Sequence, residues 1–86
     1  MLSTSDTNKH QGVLGDAHLL ALMYGGEMSF WAWRELPLDH PQRAKYASHS
    51  AALLSAYSHI VSNTPMLALS GWDTSRAAEL LASLSP

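Results

Sequence analysis

The segment from residue 19 to residue 36 constrains the fold of this chain most, because it concentrates the large side chains. It reads LLALMYGGEMSFWAWREL and holds two of the three tryptophans, the only phenylalanine and two of the four methionines. A helical wheel at about 100° per residue gathers most of these side chains on one broad face, with Leu20 and Tyr24 at its edge. The members of this face are Leu19, Leu22, Met23, Phe30, Trp31 and Trp33. The segment therefore predicts a helix with a large apolar surface.

One flank of the same helix carries only small residues, Ala21, Gly25, Ser29 and Ala32, and would let a second helix approach closely. The Gly25–Gly26 pair opposes this assignment, because each glycine costs roughly 1 kcal/mol in a helix interior relative to alanine. Either the helix kinks or breaks at the pair, or tight packing against a neighbour compensates.

Capping and turn residues set the boundaries of the first two helices. The first helix is expected from about residue 16, with Asp16 as N-cap, to residue 35, because Pro37 disfavours helical geometry at Leu36. The second is expected over about residues 40–62, with Asp39 as cap and Pro41 in the first turn. Residues 1–12 lack a periodic apolar pattern and predict a mobile polar tail, so residues 13–86 form one small helical domain.

The chain after residue 62 predicts two shorter helical elements. Asn63 is expected to end the second helix in a left-handed turn, and a short turn of helix follows over about residues 65–69. Gly71 ends this turn, and Asp73 then caps a C-terminal helix over about residues 74–84. Its apolar residues follow the i, i+3, i+4, i+7 pattern at Ala77, Leu80, Leu81 and Leu84.

The second helix repeats the division of the first into a bulky face and a small ridge. Its bulky residues are Tyr46, Leu53, Leu54, Tyr57, Ile60 and Val61, and its small ridge is Ala44, Ala47, Ala51, Ser55 and Ser58. Two matching ridges joined by a short linker predict an all-α fold built on a tight antiparallel hairpin. The C-terminal helix is too small to cover both bulky faces, so we expect a homodimer that completes a helical bundle.

Composition excludes several classes of partner. Five Lys and Arg against seven Asp and Glu give a net charge of −2, without the basic cluster that nucleic acid or an acidic membrane surface requires. No uninterrupted apolar run is long enough to span a membrane. The chain has no cysteine and no apolar signal segment among its first ten residues, which favours a cytoplasmic location and excludes a disulfide framework.

No motif predicts catalysis, a cofactor or a metal. Of the five histidines, His49 and His59 lie ten residues apart on one helix, about 15 Å along its axis, and cannot share an ion. A metal site would have to form between helices or across a dimer. HExxH and GxSxG are absent. A helix-turn-helix over residues 52–84 is disfavoured, because its last helix offers only Arg76 and Glu79 to base edges.

The most suggestive group for function is an aromatic patch on the first helix. It consists of Tyr24, Glu27, Met28, Phe30, Trp31, Trp33 and Arg34, residue types that include those enriched at protein interfaces. The alternative is that the patch is core. Trp31 and Trp33 lie about 200° apart, so one can be buried while the other faces a partner. Glu27 and Arg34, seven residues apart, could pair with each other or with an outside partner.

These observations predict a non-catalytic protein–protein interaction module that acts as a regulator, inhibitor or adaptor. A phage or mobile-element inhibitor of a bacterial host protein would be one such molecule. The alternatives are a helical bundle that binds a small ligand or a metal through its histidines and aromatic residues, and a structural subunit of a larger homo-oligomer.

Overall fold

The computed structural model describes the backbone of residues 4–84 and the side chains of residues 15–84. All regular structure in this part of the chain is helical: α1 (Thr4–Glu35), α2 (Arg43–Ser62), α3 (Pro65–Leu69) and α4 (Ser75–Leu84). The predicted all-α hairpin with a short turn of helix and a C-terminal helix is confirmed. The dimeric completion of the bundle stays a prediction, because the structure contains one chain.

The first helix starts earlier than its capping signal indicates. Its backbone is helical from Thr4, so Asp16 lies within α1 and residues 4–12, assigned to a polar tail, belong to the same helix. The mobility predicted for residues 1–12 stays a prediction, and residues 1–3 lie outside the described residues. A capping residue marks only a possible start, and it cannot stop a helix from continuing in the N-terminal direction.

The two ends of α2 differ in detail from the expected ones, whereas Gly71 and Asp73 act where they were predicted to. Gln42, rather than Asp39, precedes α2, and its backbone N–H donates to His40 Nδ1 at 3.1 Å. Asn63 ends α2 with φ −99° instead of a left-handed φ, and its side-chain amide donates to His59 O at 2.8 Å. The left-handed position is Gly71, with φ +95°, just after α3. At the start of α4 Asp73 Oδ1 accepts a hydrogen bond from Ser75 N at 2.9 Å, which agrees with its predicted capping role.

The two long helices are in close contact at Gly26. Ser50 is fully buried on α2 and donates a hydrogen bond of 2.7 Å from its Oγ to the carbonyl oxygen of Gly26. A Cβ at Gly26 would lie 2.6 Å from Leu54 Cδ2, so only glycine fits against this buried leucine. The helix runs without interruption through both glycines, and tight packing is therefore the outcome of the two that the sequence left open.

The small-residue ridges lie mostly beside this line of contact. On α1, Ser29 is buried, Gly25 and Ala32 are half-buried and Ala21 is exposed. On α2, Ala47, Ala51 and Ser58 are half-buried, whereas Ala44 and Ser55 are exposed. The buried contact that the structure shows between the helices is made instead by Gly26 and Ser50. Each is the neighbour in sequence of a ridge residue, Gly25 or Ala51, and therefore lies about 100° round its helix from that residue. Packing through the two ridges stays a prediction.

A small core lies between the hairpin and α4. Its buried apolar residues are Leu19, Phe30, Leu54, Tyr57, Val61, Ala77 and Leu80. The Tyr57 hydroxyl donates to Asp73 O at 2.8 Å, which fixes the entry to α4 against α2. Within residues 4–84, no helix combines the length and the apolar character that crossing a membrane requires.

Candidate interaction surface

The outward side of α1 carries a row of large apolar side chains, which we call the outer stripe: Leu20, Tyr24, Met28 and Trp31. The side chains are 41%, 60%, 74% and 45% exposed. Their spacings of four, four and three residues keep them on one side of the helix, about 160° round from Gly26. The helix thus has two apolar sides, one buried against α2 and one open to solvent.

The structure divides the aromatic patch between these two sides. Phe30 is 2% exposed and packs against the rings of both Trp31 and Trp33, at centroid distances of 5.4 Å and 5.6 Å. Trp33 is half-buried beside the core, and the Arg43 guanidinium lies over its ring at 4.6 Å from the centroid. Trp31 therefore faces outward and Trp33 inward, which resolves the alternative left open by their angular separation. Phe30 and Trp33 belong to the core, and the interface prediction narrows to the exposed members.

The two charged members of the patch do not pair with each other. Glu27 Oε1 accepts a hydrogen bond from Arg76 Nε at 3.3 Å, so this carboxylate ties α1 to α4. Arg34 is exposed, and its guanidinium lies 5.8 Å from the centroid of the Trp31 ring. No carboxylate of residues 15–84 approaches Arg34 within ion-pair distance. Among residues 15–84, Arg34 at the C-terminal end of the outer stripe thus has no ion-pair partner.

A hollow of about 320 Å³ lies where the end of α2 and α3 meet α1. Its apolar lining comes from Leu19, Ile60 and Leu67, and Asp16 and His18 also border it. Among residues 15–84, no three His, Cys, Asp or Glu side chains come together as a metal site would require. The alternative function of binding a small ligand stays a prediction, and this hollow is where such a ligand would fit.

Sequence reasoning missed the contacts that position the surface. The Gly26–Ser50 hydrogen bond, the Arg43–Trp33 stack and the Glu27–Arg76 ion pair join different helices, so the sequence of one helix does not reveal them. One signal was present. Leu19, Gly26 and Trp33 are spaced by seven, the repeat of a helix–helix seam, and all three lie on the inner side of α1.

Comparison with known proteins supplies the family. The family model described as RAB7A-interacting MON1-CCZ1 complex subunit 1 matches residues 2–61, which contain α1 and nearly all of α2. A Danio rerio protein of the same description is 32% identical over 78 residues, covering 86% of this chain and 28% of the relative. No solved structure matches.

These matches test the predicted phage or bacterial source of the chain and identify its family. Because the relative is a zebrafish protein, the interpretation as a phage or mobile-element inhibitor of a bacterial host protein finds no support. The chain spans little more than a quarter of that relative's length. The family model covers well over half of this sequence, and the chain belongs to the family of RAB7A-interacting MON1-CCZ1 complex subunit 1.

Proposed function

We propose that this chain is a non-catalytic adaptor module that binds RAB7A or the MON1–CCZ1 complex through the outer stripe of α1. The observation that carries the proposal is the second apolar side of α1, which the chain's own core leaves uncovered. This side lies within the part of the sequence that the family model matches. The names of the family and of the zebrafish relative supply the two candidate partners.

The composition of the outer stripe suits a protein interface. Tyr, Trp, Met and Arg are enriched at the centres of interfaces, where a few such side chains supply most of the binding free energy. Fully burying one large apolar side chain contributes about 1.5–3 kcal/mol, so covering several half-exposed ones contributes on the order of a few kcal/mol. The stripe also needs little ordering on binding, because it lies on a continuous helix already held by the hairpin.

An adaptor role also accounts for the chemistry that the surface offers. The exposed side of α1 presents apolar and aromatic groups, with the Arg34 guanidinium and the Glu35 carboxylate at its C-terminal end, and these groups recognise a partner without transforming it. The description of the family as a complex subunit favours the same reading.

The proposal is tested by titrating the fluorescently labelled chain separately with purified RAB7A and with purified MON1–CCZ1 complex. We expect saturable binding to at least one of them. Trp31→Ala should weaken that binding at least about tenfold, the effect of losing an interface hot spot. Leu69→Ala is the matched control, because Leu69 is 82% exposed on α3 and lies outside the stripe.

Two outcomes would contradict the proposal. If the folded wild-type chain bound neither protein, the two partners would be wrong. If it bound one of them and Trp31→Ala bound equally well, with unchanged far-UV circular dichroism, the outer stripe would not be the contact.

A further inference from the structure

Three residues of the outer stripe, Tyr24, Met28 and Trp31, belong to a longer row with the spacing of a helix–helix seam, and Leu20 lies beside that row at Ala21. The exposed positions 17, 21, 24, 28, 31 and 35 alternate steps of four and three residues along α1. This is the a/d spacing of heptads, which one helix presents to another. The row is about 27 Å long, because 18 residues of helix rise 1.5 Å each.

The first two positions of this row are small and the later ones are large. Ala17 and Ala21 come first, Tyr24, Met28 and Trp31 follow, and Glu35 is the last position. Small side chains let a neighbouring backbone come close, and bulky ones hold it further away. An occupant that fits the whole row is therefore itself tapered, with its larger side chains over the two alanines.

Charge adds a second requirement at the C-terminal end. The Arg34 guanidinium is held over the outward-facing Trp31 ring and has no ion-pair partner among residues 15–84. The nearest acid in sequence, Glu35, lies about 100° further round the helix. Glu27 shares the side of Arg34 but pairs with Arg76. A carboxylate is the group that an arginine fork binds best, and it would have to come from the occupant.

Resting on the proposed function, we infer that the partner covers the row with one amphipathic α-helix that places an acidic side chain beside Arg34. The row supplies an apolar seam from position 17 to position 31, about four turns of helix, and the charge pair fixes which end of the partner helix lies beside Trp31. An extended strand would cover the same 27 Å with only about eight residues.

Cross-linking distinguishes these geometries, because the chain contains no cysteine and single-cysteine variants are therefore unambiguous. Ala17→Cys, Ala21→Cys and Glu35→Cys avoid the large side chains of the stripe. Each variant would carry a short photoreactive maleimide and be irradiated with the purified partner that binds the wild-type chain. Mass spectrometry would then locate the cross-links.

If the partner segment is a helix, the residues cross-linked to positions 17 and 35 should lie about 18 residues apart in the partner's sequence. The residue cross-linked to position 21 should lie about four residues from the one cross-linked to position 17. A separation of about eight residues would mean a strand and would overturn the inference. Cross-links scattered over separate segments of the partner would overturn the inference as well. Cross-links formed mainly to a second copy of this chain, although the partner is present in excess, would do the same.

The acidic contact is tested with Arg34→Glu. This variant should weaken binding by about tenfold or more, whereas Lys45→Glu, which makes the same charge change at an exposed position on α2, should change it by less than about threefold. Equal effects of the two variants, with Trp31→Ala still impaired, would overturn the acidic contact and leave the proposed function standing. No binding by the wild-type chain would overturn both.

Discussion

Gly26 acts through its missing side chain, because the backbone there is ordinary helix. A Cβ at this position would lie 2.6 Å from Cδ2 and 2.7 Å from Cγ of Leu54, which is completely buried. Gly25 differs, since its Cβ would meet only the end of the Leu53 side chain, at 3.0 Å. Gly15 has nothing within 4 Å of an added Cβ. Three glycines of one helix therefore meet three different environments.

Alanine substitutions at the two extremes should change stability in opposite directions. We expect Gly26→Ala to lower the free energy of unfolding by about 1–3 kcal/mol, because overpacking outweighs the gain in helix propensity. Gly15→Ala should raise it by up to about 1 kcal/mol, since only propensity changes. Urea unfolding followed by circular dichroism measures both. A Gly26→Ala variant as stable as Gly15→Ala would show that the hairpin relaxes at no cost.

At the scale of whole helices, the sequence predicted more than it did at single residues. Proline, glycine and apolar spacing identified all four helices and the hairpin, because these signals are local. The contact at Gly26 was not predicted, because the ridge was chosen by small side-chain size, whereas Gly26 falls on the bulky face between Leu19 and Trp33. The start of α1 was missed because residues 4–14 carry no apolar periodicity. The sequence predicted that one of the two tryptophans of the aromatic patch could be buried and the other exposed. Which of them faces outward depends on where α2 lies.

Tyr57 makes one of the contacts that attach α4 to the hairpin. Its hydroxyl donates to the Asp73 carbonyl at 2.8 Å, and its ring packs against Trp72 at a centroid distance of 6.3 Å. Burial, and to a smaller extent the negative charge of Asp73, raises the pKa of Tyr57 above its usual value. The folded chain thus favours the protonated phenol. The stability that the protonated phenol of Tyr57 contributes is complete below pH 10 and is lost as the pH rises through the pKa of Tyr57 in the folded state.

Tyr57→Phe should therefore have two measurable effects. The free energy of unfolding should fall by about 0.5–1.5 kcal/mol at pH 7, because one hydrogen bond is lost. Between pH 9 and 11, stability should decline less steeply in the variant than in the wild-type chain. Tyr24→Phe is the control, because the Tyr24 side chain is 60% exposed. Parallel pH profiles for Tyr57→Phe and the wild-type chain would contradict the role given to this phenol.

The whole molecule is long and thin, and this shape leaves apolar surface uncovered. Its principal extents are 54 × 26 × 14 Å, and it exposes 6074 Å². A compact monomer of 9.4 kDa exposes about 5,000 Å². Part of the excess is the outer stripe, where four large apolar side chains share one side of α1. A surface of this kind that has no partner favours association with another apolar surface.

We therefore predict that the free chain self-associates weakly through the outer stripe when its partner is absent. Sedimentation equilibrium should show an average mass above 9.4 kDa that increases with concentration. Met28→Asp should restore the monomer mass and leave the helix content unchanged, because it places a charge on a side chain that is 74% exposed. Leu69→Asp, at an exposed apolar residue of α3, should leave the self-association intact. If Met28→Asp and Leu69→Asp lowered the mass equally, association would be non-specific. If the wild-type chain stayed monomeric at millimolar concentration, the dimeric bundle predicted from the sequence would be wrong, and the outer stripe would be reserved for a different protein.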